Sequence, residues 1–193
     1  MLFSPSRKLL FVHIQRTGGT SLNALIKRSI ADTRRVGRLE HGTLLEARGI
    51  LGPQRFTQAY RFGFVRNPWE RMVSLYTHAQ QRGIVIRSAL NVSQTTTFRD
   101  FLRRQHWYVD HPQLWWLCDE RGNMLASDVF RFESYRAGVS VICQRFGLSI
   151  AALPHAKSSE HAHYTTYYDA ETRAIVADRY RDDIEYFGYR FRE

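Results

Sequence analysis

Residues 9–22 read Leu9-Leu10-Phe11-Val12-His13-Ile14-Gln15-Arg16-Thr17-Gly18-Gly19-Thr20-Ser21-Leu22, and no other stretch constrains the fold as tightly. An apolar run too continuous for a half-exposed strand breaks into a cation, two glycines and three hydroxyls. Leu22, Leu25, Ile26 and Ile30 then recur at helical spacing. The order is buried strand (Lys8–Ile14), tight turn, and a helix opened by Thr20 or Ser21. Glycines let the backbone approach a ligand, and the first N–H groups of the helix, with its dipole, favour an anion in the turn.

A second block, Tyr60–Tyr76, repeats the order. Phe62, Phe64 and Val65 read as a core strand, followed by Arg66-Asn67-Pro68. Asn67 suits an N-cap, Pro68 the first helical position, and Glu70 the positive end of the dipole. Trp69, Met72, Val73 and Tyr76 would face the core of a helix running to about Gln81, with Gly83 ending it. Ser74 lies seven positions past Asn67, on the same side of that helix as its start, where it could share an oxyanion with Arg66.

Strands alternating with helices predict an α/β fold, a P-loop-like domain with a mostly parallel central sheet flanked by helices and its ligand at the carboxyl ends of the strands. Other expected elements are a short helix over Thr43–Gly49 punctuated by Gly52-Pro53, a helix over Thr97–Arg104 and a third strand over Asp128–Phe132. A helix over Ser134–Phe146 should end at Gly147, and a last helix, capped by Asp169, should end at Gly188. Residues 34–42 read as an irregular surface loop, and Tyr189-Arg190-Phe191 alternates like a terminal strand. No repeat, low-complexity tract or linker interrupts the chain, so residues 1–193 are expected to form one domain.

Charge narrows the ligand. Residues 1–61 hold 11 Lys/Arg against 3 Asp/Glu, whereas residues 62–193 hold 17 against 15. An anionic ligand near the N-terminal third is favoured. Of 28 basic residues 25 are arginine, the side chain suited to bidentate phosphate or sulfate. Two anion-friendly strand ends on one sheet edge call for a ligand with two separate anionic groups.

No apolar run reaches the roughly 20 residues of a membrane-spanning helix. The first strand begins within eight residues, leaving no room for a signal peptide, so the cytoplasm is the expected compartment. Cys118 and Cys143 lack metal or disulfide spacing. His155, His161 and His163 have no acidic or cysteine company, and no metal is expected. The sequon Asn91-Val92-Ser93 has no use without secretion. Trp107, Tyr108, Trp115 and Trp116 read as core or as an acceptor wall.

Phe11–Ser21 resembles the 5′-phosphosulfate loop of the carbohydrate (heparan sulfate type) sulfotransferases. Phe64–Tyr76 resembles their 3′-phosphate-binding segment, and Phe130-Arg131-Phe132-Glu133 and Tyr180–Phe191 resemble later landmarks of that family. The resemblance implies the cofactor 3′-phosphoadenosine-5′-phosphosulfate (PAPS) and transfer of its sulfuryl group to a hydroxyl or amine of a glycan or other small acceptor. It implies that the N–H groups around Gly18, Gly19, Thr20 and Ser21, with the hydroxyls of Thr17, Thr20 and Ser21, hold the 5′ end. Arg66 and Ser74 would hold the 3′-phosphate.

The family has lysine where Arg16 stands and proline where Gln15 stands. By resemblance, Arg16 would neutralise the departing bridging oxygen. Its broader head makes the exchange non-conservative in a tight site. His41, between the two motifs, is the candidate general base, with His13 structural, Lys157 a surface cation and Glu133 an anchor for a turn. Two alternatives stay open: a P-loop phosphotransferase, although no Lys-Ser/Thr follows the glycines, and a family member that binds PAPS without turning it over. A nucleic-acid-binding module is disfavoured because no recognised motif accompanies the charge.

Overall fold

The computed structural model of the chain describes residues 1–37, 40–81, 92–93, 95–104, 110–154 and 162–192. Gly83, Asn91, Trp107, Tyr108, His155, Lys157 and His161 lie outside the described residues. The chain divides into two compact units, residues 1–66 with 113–156 and residues 67–112 with 157–193.

The first unit carries the sheet. Its strands are β1 (Leu2–Ser4), β2 (Leu9–Val12), β3 (Arg34–Arg35), β4 (Tyr60–Val65) and β5 (Asp128–Arg131), in the order β3-β1-β2-β4-β5. β2, β4 and β5 run parallel, with Phe11 opposite Phe62 and Phe64 opposite Phe130. This is the parallel core that the alternating pattern requires. β1 and β3 extend it antiparallel on the β2 side.

Helices α1 (Gly19–Ser29), α2 (Leu44–Gln58), α5 (Leu114–Leu117) and α6 (Tyr135–Phe146) belong to the same unit. Strand alternation turns Leu9, Phe11, Phe62 and Phe64 to one face, where Leu22, Leu25 and Ile26 of α1 and Val139 and Ile142 of α6 join them in one buried core. Burying a side chain of this size contributes roughly 1.5–3 kcal/mol, so this face is a large contributor to the unit's stability.

Three details depart from the sequence expectations. β1 was not foreseen; it forms because the turn at Pro5–Lys8 folds back, held where Asp32 accepts from the Ser4 hydroxyl (2.5 Å) and the Ser6 N–H (2.8 Å). Within the expected loop at 34–42, Arg34–Arg35 pairs with β1 as an edge strand. Gly52-Pro53 does interrupt the helix that Thr43 caps, as expected, but a second helical segment that was not foreseen follows it. Gly52 adopts φ 75°, and Pro53, whose fixed φ suits a helical start, resumes the helix to Gln58.

The second unit holds α3 (Pro68–Gln81), α4 (Phe98–Arg103), α7 (Ala170–Arg179), α8 (Arg181–Phe187) and a 3-10 turn at Tyr164–Tyr167. α3 starts where Asn67 and Pro68 predict, with the Trp69 N–H donating to Asn67 Oδ1 at 3.1 Å. Asp169 caps α7 through a reciprocal box with Thr172. The single last helix of the sequence reading is two helices, broken at Tyr180. That ring is wholly buried, with its hydroxyl on Met72 Sδ at 3.2 Å.

The tail at 189–191 is not a strand. Phe191 packs edge-on against Trp69, Tyr164 and Tyr168 at 5.7, 5.6 and 5.5 Å, and Asn67 Nδ2 donates to the Arg190 carbonyl. With its side chain packed among aromatics and its backbone bonded to a side-chain amide, the segment joins no sheet ladder.

Candidate active site

The turn after β2 is shaped by a few constraints. Arg16 sits at φ 64°, in the left-handed region that residues with a Cβ seldom occupy, and Gly18 follows at φ 79°. The Thr17 hydroxyl is buried and donates to the Ile14 carbonyl at 2.8 Å, closing the turn from inside. α1 then begins with no side-chain cap, whereas Thr43, Thr97 and Asp169 cap their helices. Thr20 is exposed on the first turn of α1 and Ser21 is buried beside it.

Both glycines are required by close approach. A Cβ on Gly18 would fall 2.7 Å from the Tyr135 ring, whose hydroxyl donates to the Gly18 carbonyl at 2.8 Å. A Cβ on Gly19 would fall 1.9 Å from Cδ2 of His13. The turn is therefore clamped between α6 and the end of β2.

Arg66, at the end of β4, is buried and reaches this turn. Its Nη1 donates to the Arg16 carbonyl at 3.1 Å, and its guanidinium lies 4.3 Å from the Phe132 ring centroid. The Gln113 amide fixes the Arg66 backbone, accepting from its N–H and donating to its carbonyl, each at 2.8 Å. The two sequence motifs thus meet at the carboxyl ends of adjacent parallel strands. Sequence reasoning missed Gln113 and Tyr135. Their only signals would have been a glutamine after Pro112 and an aromatic after the third strand, neither specific.

His41 stands beside the turn, its ring centroid 4.3 Å from that of His13. Its Nδ1 lies 2.6 Å from the His13 carbonyl, an acceptor only, so Nδ1 carries the proton and the lone pair is on Nε2. The Trp116 indole donates to the His41 carbonyl at 3.0 Å, which gives that buried tryptophan a role in holding the histidine.

His13 is different. Burial, with repulsion from His41, pushes its pKa down to about 3, so the ring is neutral at ordinary pH. Asn23 Nδ2 donates to its Nδ1 at 3.0 Å, leaving the proton on Nε2. Glu40 Oε1 lies 3.4 Å from the same Nδ1, but the neutral ring makes that contact no ion pair. His13 is the structural histidine the sequence suggested.

Ser74 is wholly buried on α3 in the second unit. Among the described residues no group of His, Cys, Asp or Glu is arranged to hold a metal ion, and His163 spends its Nδ1 on Thr165 Oγ1. No helix among them is long and apolar enough to cross a membrane.

A glycine turn opening a helix, an arginine crossing to it from the next parallel strand, and an imidazole alongside sit on an α/β fold of the P-loop-like class. Within that class the chain belongs to the sulfotransferase family, whose model matches residues 1–190. Among curated proteins none matches the sequence. The crystal structure of mouse sulfotransferase SULT7A1 complexed with PAP has a TM-score of 0.51 to this chain at 12% identity, covering 94% of this chain and 86% of that one. At that identity the likeness speaks to the fold.

Proposed function

We propose that this protein transfers the sulfuryl group of PAPS to a hydroxyl, or an amine, of a glycan or other small acceptor, with residues 1–193 working as one sulfotransferase-like domain. The observation that carries the reading is the hydrogen bond from Arg66 to the Arg16 carbonyl, which ties two anion-friendly strand ends together. The donor needs two such ends. The comparison structure's PAP complex supports the same cofactor type. PAPS, when bound, supplies the activated sulfuryl group.

The residues present fit that group. Gly18 and Gly19 let Tyr135 and His13 close in and fix the turn, and α1 offers its first N–H groups without a competing side-chain cap. These groups, with Thr20 and Ser21, would hold the 5′ end. Thr17 shapes the turn through Ile14, and its hydroxyl would reach the 5′ anion only by giving up that partner. Arg66 would meet the 3′-phosphate; Ser74 is read as a further partner on the strength of its motif. Arg16 would offset charge on the leaving oxygen. His41 would take the acceptor's proton at Nε2, a contribution of roughly 10²–10⁴-fold for a well-placed base.

The arginine at position 16, in left-handed backbone where the family resemblance calls for lysine, supports one second reading: a protein that binds PAPS but turns it over slowly. We infer the cytoplasm as its setting. The test is thermal stability with PAP or ATP added. At a hundred times Kd a ligand stabilises by about 2.7 kcal/mol, so PAP is expected to raise Tm by several degrees and ATP by less. A larger rise with ATP would favour the phosphotransferase alternative and refute this one.

A further inference from the structure

A second basic site lies at the other end of the same strands. Lys8 immediately precedes β2 and Tyr60 begins β4, whereas the glycine turn and Arg66 follow their ends. At about 3.3 Å per residue, the five steps from Tyr60 to Val65 separate the two places by roughly 17 Å. A groove of about 470 Å³ opens there, lined by Ser6, Arg7, Lys8, Gln58, Tyr60 and Arg145.

The groove is built rather than incidental. The Arg145 guanidinium lies over the Tyr60 ring, 3.9 Å from its centroid, and the Tyr60 hydroxyl is tied to Asp128. A guanidinium placed over a ring keeps its N–H edge for a ligand. Arg7 and Lys8 sit on a turn fixed by its own bonds: the Arg7 N–H to Ser4 Oγ at 3.3 Å and the Lys8 N–H to the Pro5 carbonyl at 3.2 Å. The Lys8 carbonyl accepts from the Tyr60 N–H at 2.7 Å, which holds the turn against the ring. Lys8 keeps a left-handed φ of 50° in that turn.

Arg7, Lys8 and Arg145 make no ion pair among the described residues. Opposing them are Asp128, turned to Tyr60, Asp32, turned to Ser4 and Ser6, and the carbonyl end of α6. Three cations against two carboxylates leave the groove positive, and the Arg145 guanidinium is held in place over the Tyr60 ring.

We propose that this groove is a second oxyanion site, taking a sulfate or phosphate group, free or as an ester, independently of the glycine turn. It goes beyond the sulfotransferase reading and does not depend on it. Nitrogen-15 NMR of the full chain, titrated with sodium sulfate and separately with phenyl phosphate, tests it. Saturable shifts are expected at Lys8, Tyr60 and Arg145, distinct from any at residues 16–21.

The double variant Arg7→Ser, Arg145→Ser removes two exposed side chains and should leave the rest of the spectrum unchanged. It should weaken the affinity read at Lys8 and Tyr60 roughly tenfold or more, the scale of one charge-assisted hydrogen bond. Equal affinity for both probes assigns the site to the free anion, and tighter phenyl phosphate assigns it to an ester. Shifts at these residues that rise without saturating, or that keep the same midpoint in the double variant, overturn the proposal.

Discussion

Replacing Gly19 with alanine probes the clamp between the anion turn and β2. Gly19 is the first residue of α1 and has no positive φ, so alanine meets no backbone obstacle there. In an open helix the exchange would stabilise by about 0.5–1 kcal/mol. Here the new Cβ would lie 1.9 Å from Cδ2, 2.4 Å from Nε2 and 2.8 Å from Cγ of His13.

That ring has little freedom to retreat. It is 5% exposed, held by Asn23, and packed between His41 and Phe11 at centroid distances of 4.3 and 6.1 Å. Overpacking of this kind costs about 1–3 kcal/mol, which exceeds the propensity gain. A net loss of about 1–2 kcal/mol is expected, or a Tm lower by about 3–6 °C for a chain of this size. Urea denaturation measures it directly. The control is His13→Ala, alone and combined with Gly19→Ala. With the ring gone the added methyl should be tolerated, giving a coupling of about 1–3 kcal/mol in the double-mutant cycle. A Gly19→Ala protein as stable as the parent, or a coupling near zero, refutes the clamp.

Three further outcomes are expected. Tyr135→Phe removes the hydroxyl that donates to the Gly18 carbonyl and should cost about 0.5–1.5 kcal/mol in denaturation, with weaker PAP binding by calorimetry. The depressed pKa of His13 makes the folded state bind fewer protons than the unfolded one between about pH 6.5 and about pH 3. Stability is therefore fully present above pH 6.5 and falls below it, by at most about 1.4 kcal/mol per pH unit, and His13→Phe should flatten that slope. His41→Ala should slow sulfuryl transfer roughly 10²–10⁴-fold while PAP still binds; an unchanged rate removes it from the chemistry.

What could be read from the chain alone was local in origin. A continuous apolar run, paired glycines and a 3.6-residue apolar period specify strand, turn and helix through backbone sterics and hydrogen bonds close in sequence. For this reason the elements around Gly18 and around Asn67-Pro68 stand where their residues predict. Asp169 and Gly188 likewise start and stop helices as expected, because caps are local bonds.

The tertiary structure decided what depends on partners far along the chain. Gln113 reaches Arg66 across 47 residues and Tyr135 reaches Gly18 across 117, contacts that no periodicity announces. β1 became a strand only because β2 and β3 flanked it, and Tyr180 broke a helix whose spacing ran on, because its ring was needed in the core. The sequence determined a glycine turn at residues 16–21. The fold determined that His13 props it, that Arg66 crosses to it, and that His41 is held at its side with the lone pair on Nε2. Such long-range packing sets the geometry of a site, whereas local propensity sets only the elements that carry it.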